Sequence, residues 1–286
     1  MPSAADLVSP RLVAALTEVG GVPRLALTEA RQQLHHALQV VAAVGSTHLP
    51  AEDDFRHTAM RWHPVGHWLE SQPLPGSSVR AGLSIPSLSL RLGDDMVRER
   101  FDLGGRTLAD AMQWMHEAVQ RHHPTQHVGL GVPCHDLPGH PVARGAKLEG
   151  TTVPARAELG HWFEAADALL GSLTARDGLA SPVRCWPHHF DIATLIDLEN
   201  ENSIGVGLSP GDGSYDEPYF YVTPWPYPEA DSLPELPAPG HWHTEGFTAG
   251  ILTASSLAAI PAAPARAEAL ASFVAGAITN LDPSSA

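Results

Sequence analysis

Residues 183–198 read VRCWPHHFDIATLIDL, and residues 203–208 read SIGVGL. Both runs are rich in apolar residues and are separated by polar ones, a pattern typical of neighbouring strands. Two more strand-like runs follow at 218–223 and 247–254. Several strands in succession, bracketed by helical patterns, predict an α+β fold rather than a doubly wound α/β sheet.

The rest of the chain supplies helices around two groups of strands. Leu27, Leu34, Leu38 and Val41 recur at helical spacing and predict a helix over 25–44 that Gly45 ends. The other predicted elements are strands at 57–69, 79–92, 96–103 and 128–132 and helices at 107–121, 155–175 and 264–279. This order predicts a mostly antiparallel sheet flanked by helices.

The same order of elements occurs twice, in an N-terminal half, residues 1–154, and a C-terminal half, residues 155–286. Two duplicated α-βββ-α halves would explain it, with 58–69 corresponding to 183–196, 80–92 to 204–222 and 107–119 to 265–277. Few side chains are identical between the halves. One continuous α+β domain with the same order of elements is the alternative.

Composition limits the classes of partner. The 286 residues include 17 Lys and Arg against 32 Asp and Glu, a net charge of −15, and Lys147 is the only lysine. Nucleic-acid binding needs a basic surface and is not expected. Neither a P-loop nor a Rossmann glycine pattern is present, so no nucleotide cofactor is indicated. Apolar runs shorter than ~20 residues and no recognisable signal peptide predict a cytoplasmic protein without a membrane partner.

The two cysteines, Cys134 and Cys185, are too few for a disulfide framework or a Cys-rich zinc site. They are interpreted as buried thiols. Cys134-His135-Asp136 holds the residue types of a thiol catalytic set, although sequence neighbours rarely converge into one. Two pairs of histidines are interpreted as surface residues: His35-His36 and His122-His123.

Two short groups of histidines and acids are the candidates for chemistry. In the first group, alternation along a strand would place His189 and Asp191 on one face and His188 on the other. A histidine and a carboxylate two residues apart can hold a divalent cation or form an oriented pair for proton transfer. The alternative is a structural Asp191 that accepts backbone hydrogen bonds.

The second group, His241-x-His243-x-Glu245, has the donor types of a two-histidine, one-carboxylate metal site. Three such ligands span ~13 Å along a strand, so two of them plus a residue from elsewhere are expected to share one ion. The pattern predicts a divalent metal site, for zinc, iron or manganese, that also uses His189 and Asp191. The two groups are therefore expected within ~12 Å of each other.

Aromatic residues around both groups predict the wall of a pocket. Tyr219 and Tyr221 share one face of the strand that follows the turn at 210–213. The acids of this turn are interpreted as solvated. The candidate substrate-binding residues are Trp186, His188, Tyr219, Tyr221 and Trp242.

The runs Trp186-Pro187-His188-His189-Phe190-Asp191, Ser209-Pro210-Gly211-Asp212 and Glu217-Pro218-Tyr219-Phe220-Tyr221-Val222 resemble a bacterial family that is known only as a domain of unknown function. The resemblance extends over most of the chain and implies one continuous unit without a known activity. Distant members of that family keep the equivalents of Phe190-Asp191 but not both histidines, which favours Asp191 as a site residue.

These patterns support two hypotheses of function. The first is a metal-dependent enzyme that acts on a small molecule through the His/Asp/Glu groups in an aromatic-lined pocket. The alternative is a non-catalytic protein that binds a small molecule or another protein and whose histidines are structural. A self-associating structural protein is a third interpretation, and the oligomeric state stays open. If Asp191 is functional, Asp191→Ala is expected to remove metal or ligand binding while the protein stays folded.

Overall fold

The structure is a computed structural model that describes residues 2–94, 98–123, 129–133, 135–150, 152–177, 180–198 and 200–282, without the side chains of 176 and 177. The chain divides into two compact units. Unit 1 comprises Met1–Val22, His161–Val183 and Asp191–Ala286, and unit 2 comprises Pro23–Gly160 and Arg184–Phe190. Within the described ranges, every helix is too short or too polar to cross a membrane.

The fold is α+β, as predicted. The helices are α1 (Ala4–Leu7), α2 (Pro10–Thr17), α3 (Arg24–His48), α4 (Leu108–His122), α5 (Val153–Asp177), α6 (Ala254–Ala258) and α7 (Ala263–Leu281). The strands are β1 (Arg61–His63), β2 (Trp68–Glu70), β3 (Arg80–Ser84), β4 (Ser89–Gly93), β5 (Glu99–Asp102), β6 (Arg184–Trp186), β7 (Asp191–Asp197), β8 (Ser203–Ser209), β9 (Tyr219–Trp225), β10 (His241–His243) and β11 (Ala249–Thr253). Met96, Val128 and Cys134, which belong to predicted features, lie outside the described residues.

In unit 2, β1 to β5 form an antiparallel sheet whose strands are neighbours in chain order. Helices α3 and α4 pack against β3 and β4. The chain before β1 also meets β6, because the backbone amides and carbonyls of Met60 and Cys185 bond to each other at 2.9 and 2.8 Å. Cys185 is buried, as predicted.

Three predicted long strands are each interrupted by a tight turn. The runs at 57–69, 79–92 and 183–198 each give two short strands joined by a tight turn. The turns end on residues with a left-handed backbone: His67 (φ 52°), Leu88 (φ 49°) and Phe190 (φ 60°). A left-handed backbone is uncommon at bulky residues, so the amino-acid types do not signal these turns.

In unit 1, β7 to β11 form an antiparallel sheet in the order β10-β11-β9-β8-β7. Side chains alternate between its two faces. One face is apolar and packs against helices, as shown by Phe220 of β9, whose ring lies 6.3 Å from that of Trp162 of α5. The other face, called the tyrosine face, carries Asp191, Gly207, Tyr219, Tyr221, His241 and His243.

Gly45 does not end the first long helix, contrary to the prediction. Helix α3 continues to His48, and Gly45 is one of its buried residues. A Cβ atom at Gly45 would lie 2.4 Å from the carbonyl oxygen of His57. The glycine therefore allows the helix to lie against the chain at 57–58, a tertiary role that sequence cannot distinguish from a helix stop.

The predicted halves and the observed units differ. The boundary at 154/155 lies near the change from unit 2 to unit 1 at Gly160/His161, but residues 1–22 belong to unit 1 and residues 184–190 to unit 2. Residues 1–22 join unit 1 because α1 and α2 pack against α7. Helices α3 and α5 both have 25 residues, and each precedes strands and a closing helix. This order agrees with a duplication, whose direct test by superposition stays a prediction.

Candidate functional site

The tyrosine face of unit 1 holds most of the predicted site residues that lie on strands. Tyr221 donates a hydrogen bond of 2.5 Å to Oδ2 of Asp191. Tyr219 donates one of 2.5 Å to Oδ2 of Asp212. Burial and the hydrogen bond to Asp212 raise the pKa of Tyr219 far above its usual value, so its phenol stays protonated. The two phenols are thus donors that are fixed on neighbouring carboxylates.

Gly207 allows Tyr221 to reach Asp191. Tyr221 lies on β9 and Asp191 on β7, and Gly207 of β8 lies directly beside Tyr221 in the register. A Cβ atom at Gly207 would lie 2.6 Å from Cζ and Oη of Tyr221 and 2.8 Å from the carbonyl oxygen of Ile192. The tyrosine ring therefore crosses the middle strand only because that position has no side chain.

Gly207→Ala is expected to destabilise the protein by about 1–3 kcal/mol, because the methyl group displaces Tyr221 from Asp191 and meets the backbone of β7. Gly213→Ala is the matched control, since nothing lies within 4 Å of a Cβ atom built there. The control should change the free energy of unfolding by less than about 0.5 kcal/mol. Urea unfolding measures both, and equal effects would contradict the role assigned to Gly207.

A second network on this face joins Tyr215 to both histidines of β10. The phenol oxygen of Tyr215 lies 3.3 Å from Nε2 of His241 and 3.2 Å from Nδ1 of His243. Asp212 fixes Tyr215, because Oδ1 of Asp212 accepts the backbone N–H of Tyr215 at 3.0 Å. Sequence reasoning missed Tyr215, since it interpreted the acidic turn as solvated.

Asp191 and the histidines of β10 are not brought together, contrary to the predicted shared site. Strands β7 and β10 are separated by three other strands. Four spacings of ~4.8 Å place them ~19 Å apart, too far for ligands of one ion. Among the residues that the structure describes, no group of three or more His, Cys, Asp or Glu side chains could hold a metal ion.

Glu245 and Trp242 also lie elsewhere than predicted. Glu245 follows the end of β10, and its backbone carbonyl, rather than its carboxylate, bonds to Nε2 of His243 at 2.8 Å. Trp242 points to the opposite face from His241 and His243, where its indole N–H donates to the carbonyl of Pro234 at 2.7 Å. Trp242 therefore does not wall the tyrosine face.

His188 and His189 lie in the turn between β6 and β7, so the predicted alternation along a strand is wrong. The turn closes through a 2.7 Å hydrogen bond from the backbone N–H of Phe190 to the carbonyl of Trp186. His188 contacts Trp186, His135 and His189, with ring centroids 6.0, 5.6 and 4.4 Å away. Burial lowers the pKa of His188 to about 4, so this group of rings is not held together by charge.

His35 and His36 are buried, contrary to the prediction of a surface pair. His35 stacks on Phe190, and its Nε2 lies 3.0 Å from the carbonyl of Pro187. Burial lowers the pKa of His35 to about 4 and also lowers that of His36. Both lie in the central part of α3, where nearly all residues are buried.

A cleft of about 430 Å³ lies beside these residues in unit 2. Helices α3 and α4 and residues 132, 135–140, 143 and 144 form its walls, and it is called the α3 cleft below. The walls carry apolar residues, among them Val40, Leu108 and Met112, and the polar or charged residues His36, Gln39, His135, Asp136, His140 and Arg144. This volume lies within the ~300–1,000 Å³ typical of small-molecule sites.

Two buried polar atoms of residues that line the cleft have no hydrogen-bond partner among the described residues: Oε1 of Gln39 and Nε2 of His135. Gln39 is 4% exposed, and its Nε2 donates to the carbonyls of His35 (3.1 Å) and Pro187 (2.8 Å). The end of an amide that faces two carbonyls must be the NH₂ group, so the other end is an oxygen acceptor. Burial lowers the pKa of His135, which keeps its ring uncharged.

The other two histidines of the cleft, His36 and His140, form hydrogen bonds with other residues of the protein. Nε2 of His36 lies 2.8 Å from the carbonyl of Pro138 and donates to it. His140 uses both ring nitrogens, because Nδ1 accepts the backbone N–H of Val142 at 3.3 Å and Nε2 lies 3.1 Å from Oε1 of Glu29. These bonds fix the walls of the cleft. The other polar residues along it are Gln39 and His135, each with a buried atom that has no partner among the described residues, and the exposed Asp136 and Arg144.

The chain matches no family model, no curated protein and no solved structure. The resemblance to a bacterial family of unknown function therefore stays a prediction.

Proposed function

We propose that this protein is a non-catalytic binding protein and that the α3 cleft takes up a small, mainly apolar molecule that carries a hydrogen-bond donor. The single observation that carries the proposal is the buried Oε1 of Gln39, without a partner among the described residues, in a wall of the cleft. A buried acceptor without a partner costs ~1–3 kcal/mol, and a hydroxyl or amino group of a ligand removes that cost.

The surroundings of this acceptor support the same class of ligand. Val40, Leu108, Met112 and Leu137 line the cleft and offer apolar contact. His135 adds an uncharged ring nitrogen that can donate or accept. Phenols and anilines have this combination of an apolar body and one donor. The metal-dependent enzyme and the cytoplasmic location, which rest on sequence alone, stay predictions.

A paired library of small molecules tests the proposal. Each phenol or aniline is compared with its methyl ether or dimethylamine, which has the same body without the donor. Ligand-observed NMR on the full chain should detect binding of the donor molecules, with the matched molecules about tenfold weaker, because one lost hydrogen bond of ~1.4 kcal/mol is a factor of ten.

Variants of Met112, a half-buried residue in the cleft wall, locate the binding. Met112→Trp should abolish binding because the larger side chain fills the cleft, while Met112→Leu of similar volume should retain it. Thermal unfolding shows that both variants are folded. Equal binding of the same molecules by wild type and Met112→Trp would show that the cleft is not the site.

A further inference from the structure

The convergence of Tyr215, His241 and His243 at the edge of unit 1 has the geometry of a ligand set. Nε2 of His241 and Nδ1 of His243 both face the phenol oxygen of Tyr215, at 3.3 and 3.2 Å. A phenol has one proton, so it can donate to one of these nitrogens and accept from the other only when that other nitrogen is protonated. These distances lie at and just beyond the long end of the ~2.7–3.2 Å range of N–H···O hydrogen bonds.

The two distances agree with the edges of a tetrahedral metal site. Bonds of ~2.0 Å that open at the tetrahedral angle separate neighbouring ligand atoms by about 3.3 Å. A square-planar arrangement of the same bonds would give about 2.8 Å between neighbours, so the tetrahedral geometry fits better. Tetrahedral coordination by nitrogen and oxygen is typical of Zn²⁺.

The tautomer of His243 is the one that a metal requires. Its Nε2 donates to the carbonyl of Glu245 at 2.8 Å, which leaves the lone pair on Nδ1, directed at Tyr215. A backbone carbonyl that accepts the second ring N–H is a common outer partner of a metal-bound histidine. Phe247 packs on the same ring at 4.2 Å and fixes its orientation.

The local charge also favours a cation. The negatively charged carboxylate of Asp212 lies beside the site, because its Oδ1 accepts the backbone N–H of Tyr215 at 3.0 Å. The same charge attracts a metal ion. His241 is exposed, so the ion can enter from solvent.

We propose that Tyr215, His241 and His243 bind one Zn²⁺ ion and leave the fourth coordination position to water. The site is independent of the α3 cleft, which lies in unit 2. The phenol loses its proton when it binds the ion, so binding releases protons and weakens as the pH falls. The predicted ligands were histidines and carboxylates, so Tyr215 was not among them.

Calorimetry with ZnCl₂ and the full chain without a His-tag tests the proposal. We expect one site whose affinity falls by about 100-fold in His243→Ala and in His241→Ala, the upper end of what loss of an outer partner costs a metal site. His63→Ala is the matched control, since His63 lies on another strand in unit 2, and should retain the site.

Two measurements test the role of Tyr215. Tyr215→Phe should weaken Zn²⁺ binding by at least about tenfold, whereas Tyr227→Phe, a change at an exposed tyrosine, should leave it unchanged. In the wild type, Zn²⁺ should produce a tyrosinate signal in the ultraviolet difference spectrum, a readout that does not depend on a variant. Zn²⁺ binding that is unchanged in both histidine variants, or that lacks the tyrosinate signal, would overturn the proposal.

Discussion

Glu70→Ala is expected to lower the free energy of unfolding by about 3–5 kcal/mol. Glu70 is 4% exposed and forms an ion pair with Arg91, which is 9% exposed. The guanidinium of Arg91 also lies 4.4 Å above the ring of Trp68. Removal of the carboxylate leaves a buried positive charge without its anion, which is the costly way to break such a pair.

Arg61→Ala is the matched control for Glu70→Ala. Arg61 forms an ion pair with the same carboxylate at 2.7 Å, but its side chain is half exposed. Solvent screens this pair, so its loss should cost at most about 1 kcal/mol. Urea unfolding followed by circular dichroism measures both variants. Similar losses for the two would show that burial of Arg91 does not set the energy of this network.

Phe220→Ala should also lower the free energy of unfolding by about 3–5 kcal/mol, because it deletes a fully buried ring and leaves a cavity beside Trp162. The adjacent residue provides the comparison. Tyr221→Phe, on the opposite face of the same strand, removes only the hydroxyl that bonds Asp191 and should cost about 1–3 kcal/mol.

The difference in lost stability between Phe220→Ala and Tyr221→Phe tests how much each face of the unit 1 sheet contributes to stability. Thermal and urea unfolding of both should rank Phe220→Ala as the more destabilised. If Tyr221→Phe lost as much stability as Phe220→Ala, the tyrosine face would contribute to the core as strongly as the apolar face does.

Both units use the same device to join an acid on one strand to a long side chain two strands away. In unit 2, Gly82 lies between Glu70 and Arg91 in the register, and its missing side chain makes room for Arg91. In unit 1, Gly207 does the same for Tyr221 and Asp191. The recurrence agrees with the predicted duplication, in which these strands correspond.

Sequence predicted what local patterns encode. The α+β class and the long helices over 25–44 and 155–175 follow from periodicity and are confirmed. Helix α3 begins one residue earlier and ends four residues later than predicted, and α5 is two residues longer at each end. The turn at Phe190 could not be predicted, because a left-handed backbone at that residue comes from the packing of its ring on His35. Without that turn, His188 and His189 were placed on a strand.

For the candidate sites too, local patterns predicted the residue types but not which residues the fold brings together. Asp191 was predicted as a metal ligand and Tyr219 and Tyr221 as walls of the same pocket, and all three share the tyrosine face. Their separation from His241 depends on the strand order, which residue types do not specify. Gln39 was missed because a glutamine inside a helical pattern normally faces solvent, and only the fold buries it beside the α3 cleft.

A crystal structure with the tightest-binding donor molecule of the paired library tests the central claim most directly. The proposal predicts the molecule in the α3 cleft, with its hydroxyl or amino group within ~3 Å of Oε1 of Gln39 and its apolar body against Leu108 and Met112. A bound molecule outside the cleft, or one in the cleft whose donor does not meet Gln39, would contradict it.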